Sequence, residues 1–109
     1  MQRIKVRKGA ANIFEDLAFS PARSAELLVK SRLIDAIGDT IDRRKLTRFQ
    51  TAKLCGIDQP TLSKVLAGRI DSVTIDRLVS WLVALGRSVE IRVEPYTAQA
   101  EAGQLIAVL

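Results

Sequence analysis

The sequence predicts a mainly α-helical fold with short β-strands near its ends. Apolar residues recur at helical spacing between residues 20 and 86, and glycines and capping residues divide this region into separate helices. After this region the spacing changes, because Val89, Ile91 and Val93 alternate with polar and charged residues, which is typical of a strand with one apolar face. At 109 residues the chain is long enough for one domain with a modest core.

The pattern divides the chain into three parts. These are a basic arm and lead-in at residues 1–19, a helical domain at residues 20–86, and a strand and tail at residues 87–109. No run of apolar residues is long enough to span a membrane, and the N-terminus lacks the apolar block of a signal peptide. The sequence therefore predicts a cytoplasmic protein with no membrane partner.

The residue types present argue against most enzyme classes. The chain has no histidine and a single cysteine, so the usual zinc sites, histidine-based catalytic sites and internal disulfides are excluded. Asp35, Asp39 and Asp42 lie on one predicted helix and could bind a metal, but a solvated helix face explains them better. We therefore predict a protein that is not an enzyme, with no catalytic residues, metal or cofactor.

The positive charge is concentrated in two regions. The net charge is +5, and residues 1–8 carry four positive side chains and no negative one. Residues 43–69 carry seven positive side chains against Asp58 alone: Arg43, Arg44, Lys45, Arg48, Lys53, Lys64 and Arg69. A localised basic face indicates a polyanionic partner, although a solvated surface is the alternative explanation.

A long helix and two short ones are predicted in the first two thirds of the chain. Ser20 before a proline marks the start of the long helix, and Gly38 is a weak point at which it could break. Thr47 can cap the first short helix, with Gln50 reaching back to the cap amide, and Gly56 suits the left-handed conformation that ends it. The second short helix then begins at residue 58 or 59 and ends by the next glycine.

These two short helices form a helix-turn-helix unit with one polar flank. Ile57, Leu62 and Val65 are expected to face the core. The outward set is then Gln59, Pro60, Ser63 and Lys64, with Thr61 at the margin. A helix fits the DNA major groove, where glutamine can pair with adenine, hydroxyls contact bases or phosphates, and lysine contacts phosphate or guanine. The alternative is a helical hairpin that is packed purely for structure.

The last third predicts a fourth helix and a strand. Thr74 caps this helix, and Trp81 on its apolar stripe is better explained by core packing than by ligand binding. Isolated strands are unstable, so residues 88–94 need a partner. The candidates are Ile4–Val6, the C-terminal segment "LIAVL" and another chain.

The segment "LTRFQTAKLCGIDQPTLSKVLAGR" followed by "TIDRLVSWLVALGRSVEIRVEP" resembles the Cro/CI-like XRE helix-turn-helix regulators, which have a lambda-repressor-like fold, and among them the HigA-type antitoxins. The resemblance implies a dimeric repressor that binds its own promoter, and less strongly a small RelE-like or HigB-like toxin partner. It places base reading on Gln59, Thr61, Ser63 and Lys64. Arg48 stands where the family often has a glutamine that contacts the DNA backbone.

Two alternatives to an autorepressing antitoxin remain open at this point. One is a repressor without a toxin, and the other is mainly a protein-binding module that masks a toxin through its N-terminal segment or through residues 88–94. The predicted DNA-binding residues are Arg48, Gln50, Gln59, Pro60, Thr61, Ser63, Lys64 and Arg69.

Overall fold

The computed structural model describes residues 3–5, 20–98 and 102–108. The predicted lead-in at residues 6–19 lies outside the described residues. In chain order the elements are β1 (Arg3–Lys5), α1 (Pro21–Arg44), α2 (Arg48–Cys55), α3 (Gln59–Leu66), a 3-10 turn (Ile70–Ser72), α4 (Ile75–Ala84) and β2 (Ile106–Val108). The predicted mainly α-helical fold with short terminal strands is confirmed. No helix among the described residues combines the length and the apolar character needed to cross a membrane.

Helix α1 is continuous over Pro21–Arg44, so it does not break at Gly38, the weak point indicated by the sequence. Ser20 caps its start by accepting a hydrogen bond from the Arg23 amide at 3.1 Å. On either side of the glycine, Ile37 and Ile41 are buried in the core. Packing on both sides outweighs the cost of about 1 kcal/mol that glycine imposes on a helix interior.

The core lies where α1 packs against α4 and α3. Ile37, Leu62, Leu78 and Leu85 are fully buried, and only 4% of Trp81 is exposed. The tryptophan therefore packs in the core, as the sequence predicts. Thr74 caps α4 by accepting a hydrogen bond from the Arg77 amide.

The two terminal strands pair with each other. β1 and β2 are antiparallel, with Ile4 opposite Ala107 at the centre of the register. Ala107 is buried and packs with Val29 of α1 in a second, smaller apolar cluster. The C-terminal segment "LIAVL" therefore contributes a strand, but its partner is β1 and not residues 88–94.

The strand predicted at residues 88–94 is not formed in the chain as described. The segment pairs with no strand among residues 3–5, 20–98 and 102–108, and 80% of Ile91 and 90% of Val93 are exposed. Within the described part of the single chain the alternation does not produce a strand, because a strand needs a hydrogen-bonded neighbour, and β1 and β2 pair with each other instead.

Two arginines fix the point where this segment leaves α4. Arg44, the last residue of α1, donates to the Leu85 carbonyl oxygen at 2.9 Å. Arg87 donates to the buried Thr40 hydroxyl oxygen at 3.0 Å. The start of the segment is therefore hydrogen-bonded to α1 on both sides of Gly86.

Candidate nucleic-acid interface

The first helix of the motif is held by a reciprocal cap. The Gln50 amide donates to the Thr47 hydroxyl oxygen at 3.0 Å, and the Thr47 amide donates to the Gln50 side-chain oxygen at 2.9 Å. This is the predicted capping box, which satisfies two amides that a helix start leaves unpaired. Arg48 is thereby placed, exposed, in the first turn of α2.

The turn between the motif helices is made by Gly56. Its φ of 70° and ψ of 33° lie in the left-handed region, as expected for a glycine that ends a helix. The Ile57 amide then donates to the Ala52 carbonyl oxygen at 3.0 Å, which closes the turn. Ala52 is buried where the two helices approach each other.

Asp58 caps the second helix of the motif. Its carboxylate accepts hydrogen bonds from the Thr61 amide, at 3.2 Å, and from the Thr61 hydroxyl. These two bonds hold the pKa of the Asp58 carboxyl below its usual range. The cap therefore stays ionised at neutral pH and weakens only in strong acid, as pH falls through the lowered pKa.

The polar flank of α3 faces outward, as the sequence predicts. Gln59, Pro60, Ser63 and Lys64 are exposed. Leu62 and Val65, which are 0% and 2% exposed, anchor the opposite face in the core. Thr61 is half-buried, and because its hydroxyl proton is donated to the cap, it offers DNA a methyl group and an acceptor oxygen.

The basic residues of this region form an exposed positive surface. All seven cations in residues 43–69 are exposed. Arg43 pairs with Asp39 at 2.8 Å and Arg44 bonds the Leu85 carbonyl, whereas the other five form no ion pair with any described residue. Lys45, Arg48, Lys53, Lys64 and Arg69 are therefore available to an external anion.

Comparison with known proteins identifies this arrangement. The sequence profile of a family described as "Helix-turn-helix domain" matches residues 13–94. The chain belongs to this helix-turn-helix family. It is similar to the solved structure of a protein provisionally described as an XRE-family transcriptional regulator, with 29% identity, a TM-score of 0.71, and coverage of 80% of this chain and 98% of that one. No curated protein matches the chain significantly. These findings support a DNA-binding regulator with an XRE-type helix-turn-helix.

An exposed aromatic residue of this helix-turn-helix protein is not among the predicted contacts. Phe49 lies between Arg48 and Gln50 in the first turn of α2, and 62% of it is exposed. The phase of the helix could have revealed it, because the capping box at Thr47 sets which positions turn inward. An exposed phenyl ring beside basic residues can contact sugars or a thymine methyl group.

Gln50 has a more limited role than the prediction assumes. Its side-chain oxygen already accepts one hydrogen bond in the capping box, which leaves the amide NH₂ group and one remaining acceptor site for DNA. Arg69 is exposed just beyond α3, and its carbonyl oxygen accepts a bond from the Ser72 hydroxyl at 2.7 Å. Apart from the half-buried Thr61, the predicted residues are thus all exposed, and the cap hydrogen bonds constrain the side chains of Gln50 and Thr61.

The aspartates that could bind a metal and the single cysteine both have structural explanations. Asp35 and Asp39 lie 3.9 Å and 2.8 Å from Arg32 and Arg43 of the same helix. Cys55 is half-buried against the core, where burial raises the pKa of its thiol. A protonated thiol packed on the core suits an apolar role better than a nucleophilic one.

Proposed function

We propose that this chain is a dimeric, sequence-specific repressor that acts in the cytoplasm on its own operator. The observation that carries the proposal is the position of α3, whose apolar face is buried while Gln59, Ser63 and Lys64 project from it into solvent. A helix presented in this way can enter the major groove with its first turns against base edges. In a dimer, two such helices about 34 Å apart would read half-sites one duplex turn apart.

The positive charges near the two ends of the helix-turn-helix unit support contacts with DNA phosphates. Arg48 at the start of α2 and Arg69 beyond the end of α3 are exposed and form no ion pair with the described residues. Their attraction to phosphate is independent of base sequence, so they position the protein on the duplex. Gln59 has the donor and acceptor needed for a two-point contact with adenine.

The test is a comparison of two alanine variants on the chain's own promoter. Gln59→Ala is expected to relax preference at one base-pair position, because only the base contact is lost. Arg48→Ala is expected to weaken binding to all DNA sequences by a similar factor. It should also reduce the magnitude of the slope of log affinity against log salt by about one for each half-site, or about two for the dimer. Footprinting and titrations at several salt concentrations measure both effects.

Arg23→Ala is the matched control. Arg23 lies near the start of α1, about 32 Å along the helix axis from Arg44. Its loss removes the same charge far from the motif and should leave promoter affinity unchanged. Equal effects of all three substitutions would contradict the assignment of α2 and α3 to DNA.

We further propose that the chain is the antitoxin of a RelE-like toxin. The support is the resemblance of residues 46–70 and of "ALGRSVEI" to HigA-type antitoxins. We expect a gene for a small basic protein beside this one, and we expect its product to co-purify with this chain when the two are expressed together. A promoter-binding chain whose neighbouring gene product does not co-purify would instead be a repressor without a toxin.

A further inference from the structure

Residues 88–94 form an exposed segment whose two sides differ in chemistry. The segment runs without a helical turn or a bend, and Val89 alone of its apolar residues packs on the core. Ile91 and Val93 follow at two-residue spacing and are almost fully exposed. Two large apolar side chains in solvent beside the half-buried Val89 indicate a surface that a binding partner covers.

The alternation is visible in the contacts as well as in the sequence. Arg92 and Glu90 are paired, with 3.0 Å between the guanidinium and carboxylate groups. Side chains two residues apart share a face of an extended chain. The charged pair therefore occupies one face, and Val89, Ile91 and Val93 share the other.

No described strand of the same chain pairs with this segment. β1 and β2, the two strands among residues 3–5, 20–98 and 102–108, are paired with each other. The backbone amides and carbonyls of residues 88–94 are thus left outside the ladder of that sheet. A run that lies outside a sheet ladder in this way can bind a further strand by edge pairing.

We propose that residues 88–94 of two copies pair antiparallel about Ile91 and form the dimer interface of the proposed repressor. In this register Ile91 lies opposite Ile91 of the second copy, and Val89 lies opposite Val93. On the other face Glu90 of each copy lies opposite Arg92 of the other. The two-fold axis therefore gives two equivalent pairs of opposite charge. The segment is therefore complementary to itself in both apolar character and charge.

The neighbouring registers are unfavourable. A shift of one residue would place charged side chains opposite apolar ones, because successive residues of a strand point to opposite faces of the sheet. Pairing centred on Glu90 or on Arg92 would place two like charges opposite each other, which is destabilising. Among these registers, the one centred on Ile91 therefore places apolar residues opposite apolar residues and opposite charges opposite each other. The partner that fits it is a second copy of this chain.

The interface would also continue the core of each domain. Val89 already contacts the core cluster, and Val93 of the second copy would lie beside it. Two strands alone are marginally stable in water, so this contact with two preformed cores provides the anchoring that an isolated ribbon lacks.

Charge reversal tests the pairing directly. Glu90→Arg and Arg92→Glu each turn both cross-strand pairs into like-charge pairs, so each variant alone is expected to dimerise at least about tenfold more weakly. An equimolar mixture of the two variants restores opposite charges at both pairs and should recover the parent affinity. Sedimentation velocity measures both, with circular dichroism to show that each variant is folded.

A crosslinking experiment tests the register without altering charge. In a Cys55→Ser background, Ile91→Cys places two thiols opposite each other, and mild oxidation with diamide should give a covalent dimer. Val93→Cys is the matched control, since it is equally exposed but would lie about 14 Å from its own counterpart, beyond disulfide reach. Crosslinking of both variants alike, or of neither, would overturn the proposal, as would single charge variants that dimerise like the parent.

These outcomes are separable from the proposed function. If the chain binds its promoter but shows no Ile91-centred dimer, the proposed function stands and the proposed interface is wrong. If the chain dimerises about Ile91 but leaves its promoter unprotected, the proposed interface stands and the proposed function is wrong. A parent that is monomeric alone and shields residues 88–94 only in a complex with a toxin would assign the segment to that partner and overturn the proposal.

Discussion

Lys64→Glu is expected to lower affinity for the chain's own promoter by about 100-fold. Lys64 is exposed on the outward flank of α3 and forms no ion pair with any described residue, so the substitution breaks no ion pair in the described part of the chain. The substitution changes the charge of the protein by two units at each half-site, close to the phosphates of the duplex. Electrophoretic mobility shift or fluorescence anisotropy at fixed salt measures the loss.

The charge-matched control for this substitution is Arg23→Glu. It makes the same change in net charge near the start of α1. Because it also breaks the exposed ion pair of Arg23 with Glu26, circular dichroism should show that α1 is retained. We expect it to bind the promoter nearly as the parent does. If Lys64→Glu bound its promoter like this control, α3 would not be the element that reads DNA.

Gly56→Val is expected to destabilise the domain by about 2 kcal/mol, because a β-branched residue is disfavoured at a left-handed φ. The φ of Gly56 is 70°, and nothing lies within 4 Å of where its Cβ would stand, so the cost arises from the backbone and not from a clash. For a domain of this size the loss corresponds to a decrease in Tm of about 8–16 °C. Thermal unfolding followed by circular dichroism measures it.

Gly38→Ala provides the matched control for the glycine position. This glycine also has open space around its Cβ position, but it lies in a regular helix without a positive φ. Replacing it should raise stability by up to about 1 kcal/mol. An unchanged Tm in Gly56→Val would show that the turn tolerates a side chain and that its conformation is not what orients α3.

The helix boundaries of the motif could be predicted because they depend on short-range chemistry. The caps at Thr47 and Asp58 join residues three positions apart, and the turn at Gly56 depends on one residue's conformational freedom. Local sequence contains all of this information. The burial of Leu62 and Trp81 followed from periodicity for the same reason.

The features that the sequence did not reveal depend on distant partners. Alternation at residues 88–94 predicted a strand, but a strand requires a neighbour, and β2 pairs with β1 instead. Gly38 suggested a break that packing on both sides prevents. The occupied hydroxyl of Thr61 depends on local side-chain geometry, whereas the exposed ring of Phe49 could have been found from the phase of α2.

The hydrogen bonds of Arg44 and Arg87 have a consequence for how an operator could change over time. They hold the start of residues 88–94 against α1, and α2 begins only four residues after Arg44. Two copies joined through this segment would then move as one rigid body and not as domains on a tether. The operator of such a dimer could therefore accumulate base substitutions within its half-sites far more readily than the insertion or deletion of a base pair between them.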